Sequence, residues 1–287
     1  MMNDSTLPLG FRGAGISVGI KSSGAKDLAL IVNDGPHLFG TAVFTSNQIV
    51  AAPVIWSRQI IKDYTVAAVL LNSGGANACT GPDGFADTHH SAEKVAECLK
   101  LSSSDIAICS TGLIGVRLPM DSILSGIESA ATQLTRDSLR ECAEAIMTTD
   151  SKPKIAPKEL GGAKMVGIAK GAGMLAPSLA TMLSVIMTDA IVDPSSASQI
   201  FEEVCDLTFN RIDSDGCTST NDTVLLMSSG ASGITLSDEE LRTALFEVAN
   251  SLAKQLIADT EGHSKIISIT TINAKRSEEH TSELQSP

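Results

Sequence analysis

Aromatic residues are scarce. Phe, Tyr and Trp together make up 3% of the chain, with a single Trp56 and a single Tyr64. A core built from this sequence must therefore be filled by Ala, Val, Ile, Leu and Met. Basic residues are also few: 21 Lys and Arg stand against 33 Asp and Glu, a formal net charge of −12. No large Lys/Arg cluster interrupts this acidity, which excludes a nucleic-acid partner, since a phosphate backbone needs a basic face. None of the six cysteines forms a C-x-x-C pair. A zinc site is thus not expected, and the thiols read as reduced and mostly buried. No apolar run reaches the roughly 18 residues of a membrane span. The N-terminus lacks a basic n-region, a hydrophobic signal core and an Arg-rich character, so the expected location is the cytoplasm.

What is present is a folding sequence of 287 residues, 43% apolar and 19% charged, with 23 glycines. Apolar runs at 14–20, 28–32, 41–44, 66–71, 106–109, 165–169, 181–190 and 224–227 read as strands. Helical spacing runs over 84–99, 119–132, 136–147, 194–209 and 237–257. Strands and helices mixed in this way predict a layered α/β protein with helices covering sheets. No linker or internal repeat marks a domain boundary.

The end of the chain changes character. An alternating strand-like run, 266–272, gives way to residues 276–287, which read as the translation of a sequencing-library adapter. Those residues are set outside the fold, and the natural protein is expected to continue past Lys275.

Chemistry concentrates in Lys170-Gly171-Ala172-Gly173-Met174-Leu175-Ala176-Pro177-Ser178-Leu179-Ala180-Thr181-Met182-Leu183. A glycine-rich turn follows one strand, and a threonine opens the next. A threonine hydroxyl is a poor nucleophile unless a base sits beside it. Attack of Thr181 on the Ala180 carbonyl would make Thr181 a new N-terminus. Its α-amino group, with an ordinary pKa of about 8, would then be that base. Small Ala180 obstructs such an attack little. The oxyanion needs donors, and Ser110-Thr111-Gly112 at a strand end offers a hydroxyl and a backbone N–H.

This segment resembles the cleavage motif of the ornithine acetyltransferase family, whose members are bifunctional glutamate N-acetyltransferases. The likeness runs in order along about residues 10–275: Gly19-Ile20-Lys21, Lys26 to Leu30, Ala51 to Val54, Asn72 to Gly81, Ser110 to Gly115, Ala145 to Asp150, Asp215 to Thr223 and Glu261-Gly262. The resemblance implies an α-β-β-α sandwich like that of the N-terminal-nucleophile aminopeptidases. It implies one domain over 1–275, incomplete at its C-terminus and cut into an α chain, 1–180, and a partial β chain from 181 to 275. It further implies that Thr181 carries acetyl from N-acetylornithine to glutamate, in the cyclic route of arginine biosynthesis. Acetyl-CoA is a second candidate donor. Thr111 and Gly112 match the oxyanion pair; Thr148, Lys170, Thr181 and Glu261 match substrate contacts. An α₂β₂ assembly, no cofactor and no metal follow from the same likeness. Two departures stand out. Asp259-Thr260-Glu261-Gly262-His263 replaces the family's usual Asp-Gly-Glu-Gly-Ala, and a further family segment that brings an Asn and a Thr or Ser to the substrate is missing.

Two other readings compete: an N-terminal-nucleophile aminopeptidase or amidase, and a processed but inactive binding protein. The remaining polar features read as structure. His89 and His90 belong to a solvated helix face. Asp213, Asp215, Asn221 and Asp222 do not fit the spacing of a Ca²⁺ loop. Ser151-Lys152-Pro153-Lys154, with Lys158 beyond, reads as a solvated basic loop.

Overall fold

The computed structural model describes residues 6–175, 182–270 and 272. Ala180, Thr181 and the tail 276–287 lie outside the described residues. Nine strands and six helices follow in the order β1 (Phe11–Ile16), β2 (Leu28–Asn33), β3 (Phe39–Phe44), α1 (Ala52–Ile60), β4 (Ala68–Gly75), α2 (Gly81–Leu99), β5 (Ile106–Leu113), α3 (Met120–Thr132), α4 (Leu139–Ala145), β6 (Lys154–Leu160), β7 (Ala163–Lys170), β8 (Leu183–Thr188), α5 (Pro194–Leu207), β9 (Thr223–Ser228) and α6 (Asp238–Ile257), counted among the described residues.

They form two sheets, ordered β1-β2-β4-β5 and β3-β9-β8-β7-β6. Each holds one parallel pair, β4 with β5 and β8 with β9, and each pair is joined through a helix, α2 or α5. Side-chain alternation explains the layers. From β2, Leu28, Leu30 and Val32 pack with Ala68, Leu70, Ile106 and Ile108 under α2 and α3. The intervening Ala29 and Ile31 face Val69, Leu71, Ala107 and Cys109, and across the gap they meet Val166, Ile168, Val185, Met187, Leu225 and Met227 of the second sheet. The outer face of that sheet, with Met165, Ile186, Val224 and Leu226, is covered by α5 and α6. The result is the α-β-β-α sandwich, with a middle layer built almost entirely of aliphatic side chains.

Local signals set the element ends. Pro194 follows Asp193, whose carboxylate accepts from the backbone N–H of Ser195 and Ser196 to start α5. Ser237 and Glu240 form a reciprocal capping box at the start of α6. Gly15 lets α4 lie directly on β1: a Cβ there would come within 2.1 Å of the Glu141 carbonyl oxygen.

Four features differ from the sequence reading, the first being α1 over Ala52–Ile60, where no helix was expected. Residues 154–160 form a strand, β6, at the edge of the five-stranded sheet, and Lys154 within it is fully buried rather than solvated. Pro157 is tolerated because an edge strand leaves one side of its backbone without a ladder partner. The alternating run 266–272 forms no strand among its described residues; Ile267 and Ile269 are 78% and 89% exposed, and alternation without a sheet face to pack on has nothing to hold it. The thiols divide: Cys109, Cys142 and Cys205 are buried, Cys98 is partly buried, and Cys79 and Cys217 are exposed. No helix among the described residues is long and apolar enough to cross a membrane.

Candidate active site

β4 and β5 run further than their apolar cores. Both continue to the glycines beyond, so Thr111 and Gly112 sit in the last turns of β5 beside Ser73 and Gly74 of β4. Gly74 and Gly112 both have positive φ, +106° and +129°, and a Cβ on Gly112 would come within 2.3 Å of the Gly74 carbonyl carbon. Only glycine fits this close approach of two backbones. The pair opens the floor of a cleft of about 830 Å³.

The opposite wall comes from the second sheet. β7 ends at Lys170, which lies in register with Leu183 of β8. The Lys170 side chain is buried, and its Nζ donates to the Thr111 hydroxyl at 3.2 Å. That bond crosses from one sheet to the other. Burial pulls the Lys170 ammonium down to a pKa of about 8, against the opposing pull of Asp150 and Asp222.

Asp150 organises the wall around it. Its carboxylate accepts from the backbone N–H of Thr148 at 2.9 Å and of Gly171 at 2.6 Å. It also accepts from Lys154 Nζ at 2.6 Å. Burial works against its charge, but Lys170 and Lys154 outweigh burial and hold it below the usual carboxylate range. Lys154 reaches Asp259 as well, at 2.6 Å. Two residues on, the Glu261 N–H donates to the Ala172 carbonyl at 2.8 Å. Asp215 takes the Met174 N–H at 2.7 Å and so fixes the far end of the glycine-rich turn.

The start of β8 is equally well held. Met182 N–H donates to Asp222 at 3.0 Å, and Thr223 N–H donates to the Met182 carbonyl at 3.2 Å. Asp222 is fully buried, and one of its oxygens has no hydrogen-bond partner among the described residues. Burial pushes its carboxyl well above the ordinary range, despite the Met182 N–H and nearby Lys170. Thr181 itself is outside the described residues, but its carbonyl carbon is covalently bound to this anchored nitrogen.

The cleft thus brings together Thr111, Gly112, Thr148, Lys170 and Glu261, five of the residues singled out in the sequence. Lys21, Asp150, Lys154 and Asp222 were not singled out as site residues; Lys21 lines the cleft, and the other three act on Lys170 from behind its wall. His89 sits elsewhere, on α2 against the Trp56 ring and Glu93. Among the described residues no group of three His, Cys, Asp or Glu side chains converges as a metal site would.

A layered α-β-β-α scaffold, with a buried lysine and a threonine hydroxyl meeting across its two sheets, has the layout of the Ntn hydrolase fold. The comparisons narrow this class. Residues 12–284 match the ArgJ family model, and the chain belongs to that family. It is 52% identical over 269 residues to the arginine biosynthesis bifunctional protein ArgJ of Thermobifida fusca, covering 94% of this chain and 70% of that protein. The Streptomyces coelicolor protein of the same name is 52% identical over 274 residues, covering 96% of this chain and 72% of its own length. Among solved structures, ornithine acetyltransferase from Mycobacterium tuberculosis, in complex with ornithine, is 46% identical with a TM-score of 0.56, covering 62% of this chain and 97% of that one. The L-aminopeptidase D-Ala-esterase/amidase of Ochrobactrum anthropi, described as a variant of the Ntn hydrolase fold, shares only the fold: it is 10% identical with a TM-score of 0.51, over 90% of this chain and 86% of that one. Membership makes this chain an acetyltransferase of the arginine route.

Proposed function

We propose that residues 1–275 belong to one catalytic domain, incomplete at its C-terminus, that cuts itself between Ala180 and Thr181 and then moves acetyl from N-acetylornithine to glutamate. Thr181 Oγ attacks the Ala180 carbonyl carbon, the peptide becomes an ester, and water releases the two chains. The freed α-amino group takes the Thr181 hydroxyl proton as Oγ attacks the acetyl carbon of N-acetylornithine. Thr111 and Gly112 donate to the resulting oxyanion. Collapse breaks the C–N bond, and ornithine leaves with its α-amine protonated. The glutamate α-amine then attacks the acetyl ester, giving N-acetylglutamate and free Thr181. Lys170 receives the α-carboxylate that both substrates carry, Glu261 receives the ornithine side-chain ammonium, and Thr148 closes the pocket between them. Acetyl-CoA is a second candidate donor. The enzyme works in the cytoplasm, as an α₂β₂ assembly, without a cofactor.

One observation carries this reading. Five residues spread from 111 to 261 line a single cleft, and Leu183, two residues beyond Thr181, lies in register with one of them, Lys170.

The test is the denatured mass of the full-length protein beside a Thr181→Ala variant. Two pieces from the wild type, divided between Ala180 and Thr181, with the variant whole, are expected. An intact, folded wild-type chain would overturn the mechanism. Free acetate released from N-acetylornithine regardless of glutamate would make the enzyme a hydrolase instead.

A further inference from the structure

We propose that Lys21 is a specificity-determining residue that pairs with the side-chain carboxylate of the acceptor amino acid. The inference rests on the acetyltransferase reading above and follows from counting charges. N-Acetylornithine brings one carboxylate and one ammonium, which Lys170 and Glu261 can balance. Glutamate brings a second carboxylate instead of that ammonium, into the same cleft and towards the same Glu261. A dicarboxylate acceptor therefore needs a further cation, or it is repelled.

Lys21 is placed to supply it. It lines the cleft with Lys170 and Glu261. A Cβ on Gly74 would come within 3.3 Å of Lys21 Cγ, so the lysine stem lies over Gly74, and Gly74 in turn backs Gly112. Lys21 is close enough to Lys170 for the two charges to oppose each other. Its loop is built rather than incidental: the buried Asp27 carboxylate accepts from the backbone N–H of Val18, Ile20 and Lys21 at 2.7, 2.6 and 2.9 Å.

The other nearby lysines are committed. Lys154 is held by Asp150 and Asp259, and Lys26 by Glu144. The Lys21 ammonium donates to the Lys26 carbonyl at 2.7 Å and feels the charges of Asp27 and Asp150, but among the described residues it is hydrogen-bonded to no carboxylate. One direction of its donor set is satisfied by backbone, which fixes the head group, and the others are open to a ligand.

The experiment compares wild type, Lys21→Met and Lys21→Arg in two half-reactions. The first reads ornithine released from N-acetylornithine. The second reads acetyl transfer from the preformed acetyl-enzyme to glutamate and to glutamine, which has the same length without the second charge. Lys21→Met is expected to raise KM for glutamate by about ten- to a hundredfold, the range for losing a charged hydrogen bond. It should change glutamine transfer and ornithine release far less, and Lys21→Arg should retain most of the preference for glutamate. An unchanged glutamate-to-glutamine ratio in Lys21→Met overturns the proposal. So does an equal loss with both acceptors. If wild type releases no ornithine, the acetyltransferase reading fails instead, and calorimetric binding of glutamate against glutamine to wild type and Lys21→Met still decides the role of Lys21.

Discussion

Lys170 carries its charge largely shielded from water, in the wall of the cleft. Burial favours the neutral amine and two carboxylates favour the ammonium, and the balance leaves a pKa of about 8. The sign of the consequence is fixed. Below that value Lys170 is an ammonium that attracts a substrate carboxylate; above it the attraction is lost. The kcat/KM for N-acetylornithine should therefore fall above a pH of about 8, by about tenfold per unit, as for one ionisation. Lys170→Met should be slow throughout and lack that limb; a variant that keeps the limb would show that another group titrates. At this scale the sequence was informative where chemistry is written in local motifs, as at Thr111-Gly112 and in the run from Lys170 onwards. It was silent on Lys154. A lysine in a polar, proline-containing stretch looks solvated, and one of its partners, Asp259, lies 105 residues away.

The elements that deliver these residues are held by contacts outside the usual ladders. β5 is an edge strand, and edge strands present unpaired backbone groups. Here α1 lies along it. Ser57 Oγ accepts from the Ile108 N–H at 2.9 Å and donates to the Ile108 carbonyl at 2.8 Å. Trp56 Nε1 donates to the Ile106 carbonyl at 2.9 Å. One hydroxyl thus stands in for a missing strand, just upstream of Thr111. Ser57→Ala would leave two buried backbone groups unsatisfied and should cost about 1 to 3 kcal/mol, read as a lowered urea midpoint. A midpoint equal to wild type would mean that water replaces the hydroxyl. Most strands and helices were legible because alternation and 3.6-residue spacing report burial on one face. Their ends were less so. β4 and β5 run on through Ser, Thr and Gly, whose small polar side chains give no hydrophobic signal but suit the lining of a cleft. The run 266–272 shows the converse, a strand-like pattern with no face to bury against.

The cleft exists only because the whole molecule assembles. Thr111 and Gly112 come from one sheet, Lys170 from the other, and Glu261 from the chain just beyond α6. The middle apolar layer sets the distance between the sheets, and a buried cation helps tie the third part in, beside the Ser151–Asp259 and Glu261–Ala172 hydrogen bonds. Lys154 on β6 bonds Asp150, whose carboxylate also holds Thr148 and Gly171, and at the same time bonds Asp259, two residues before Glu261. Removing that cation takes the charge partner from buried Asp150 and from partly exposed Asp259, which keep only their other hydrogen bonds, so Lys154→Met should cost about 3 kcal/mol, the low end for breaking a buried ion pair from one side. It should also loosen the Glu261 segment relative to Thr148 and Lys170, raising KM for both substrates more than it lowers kcat. A purely structural role predicts lost stability with unchanged KM in the molecules that remain folded. The double variant Lys154→Met/Asp259→Asn separates the two effects. It removes one charge left without its cation and should recover part of the stability, while the Glu261 segment still lacks its tie to Lys154 and KM stays high. Recovery of both together would mean that the network supports the fold but not the geometry of the cleft.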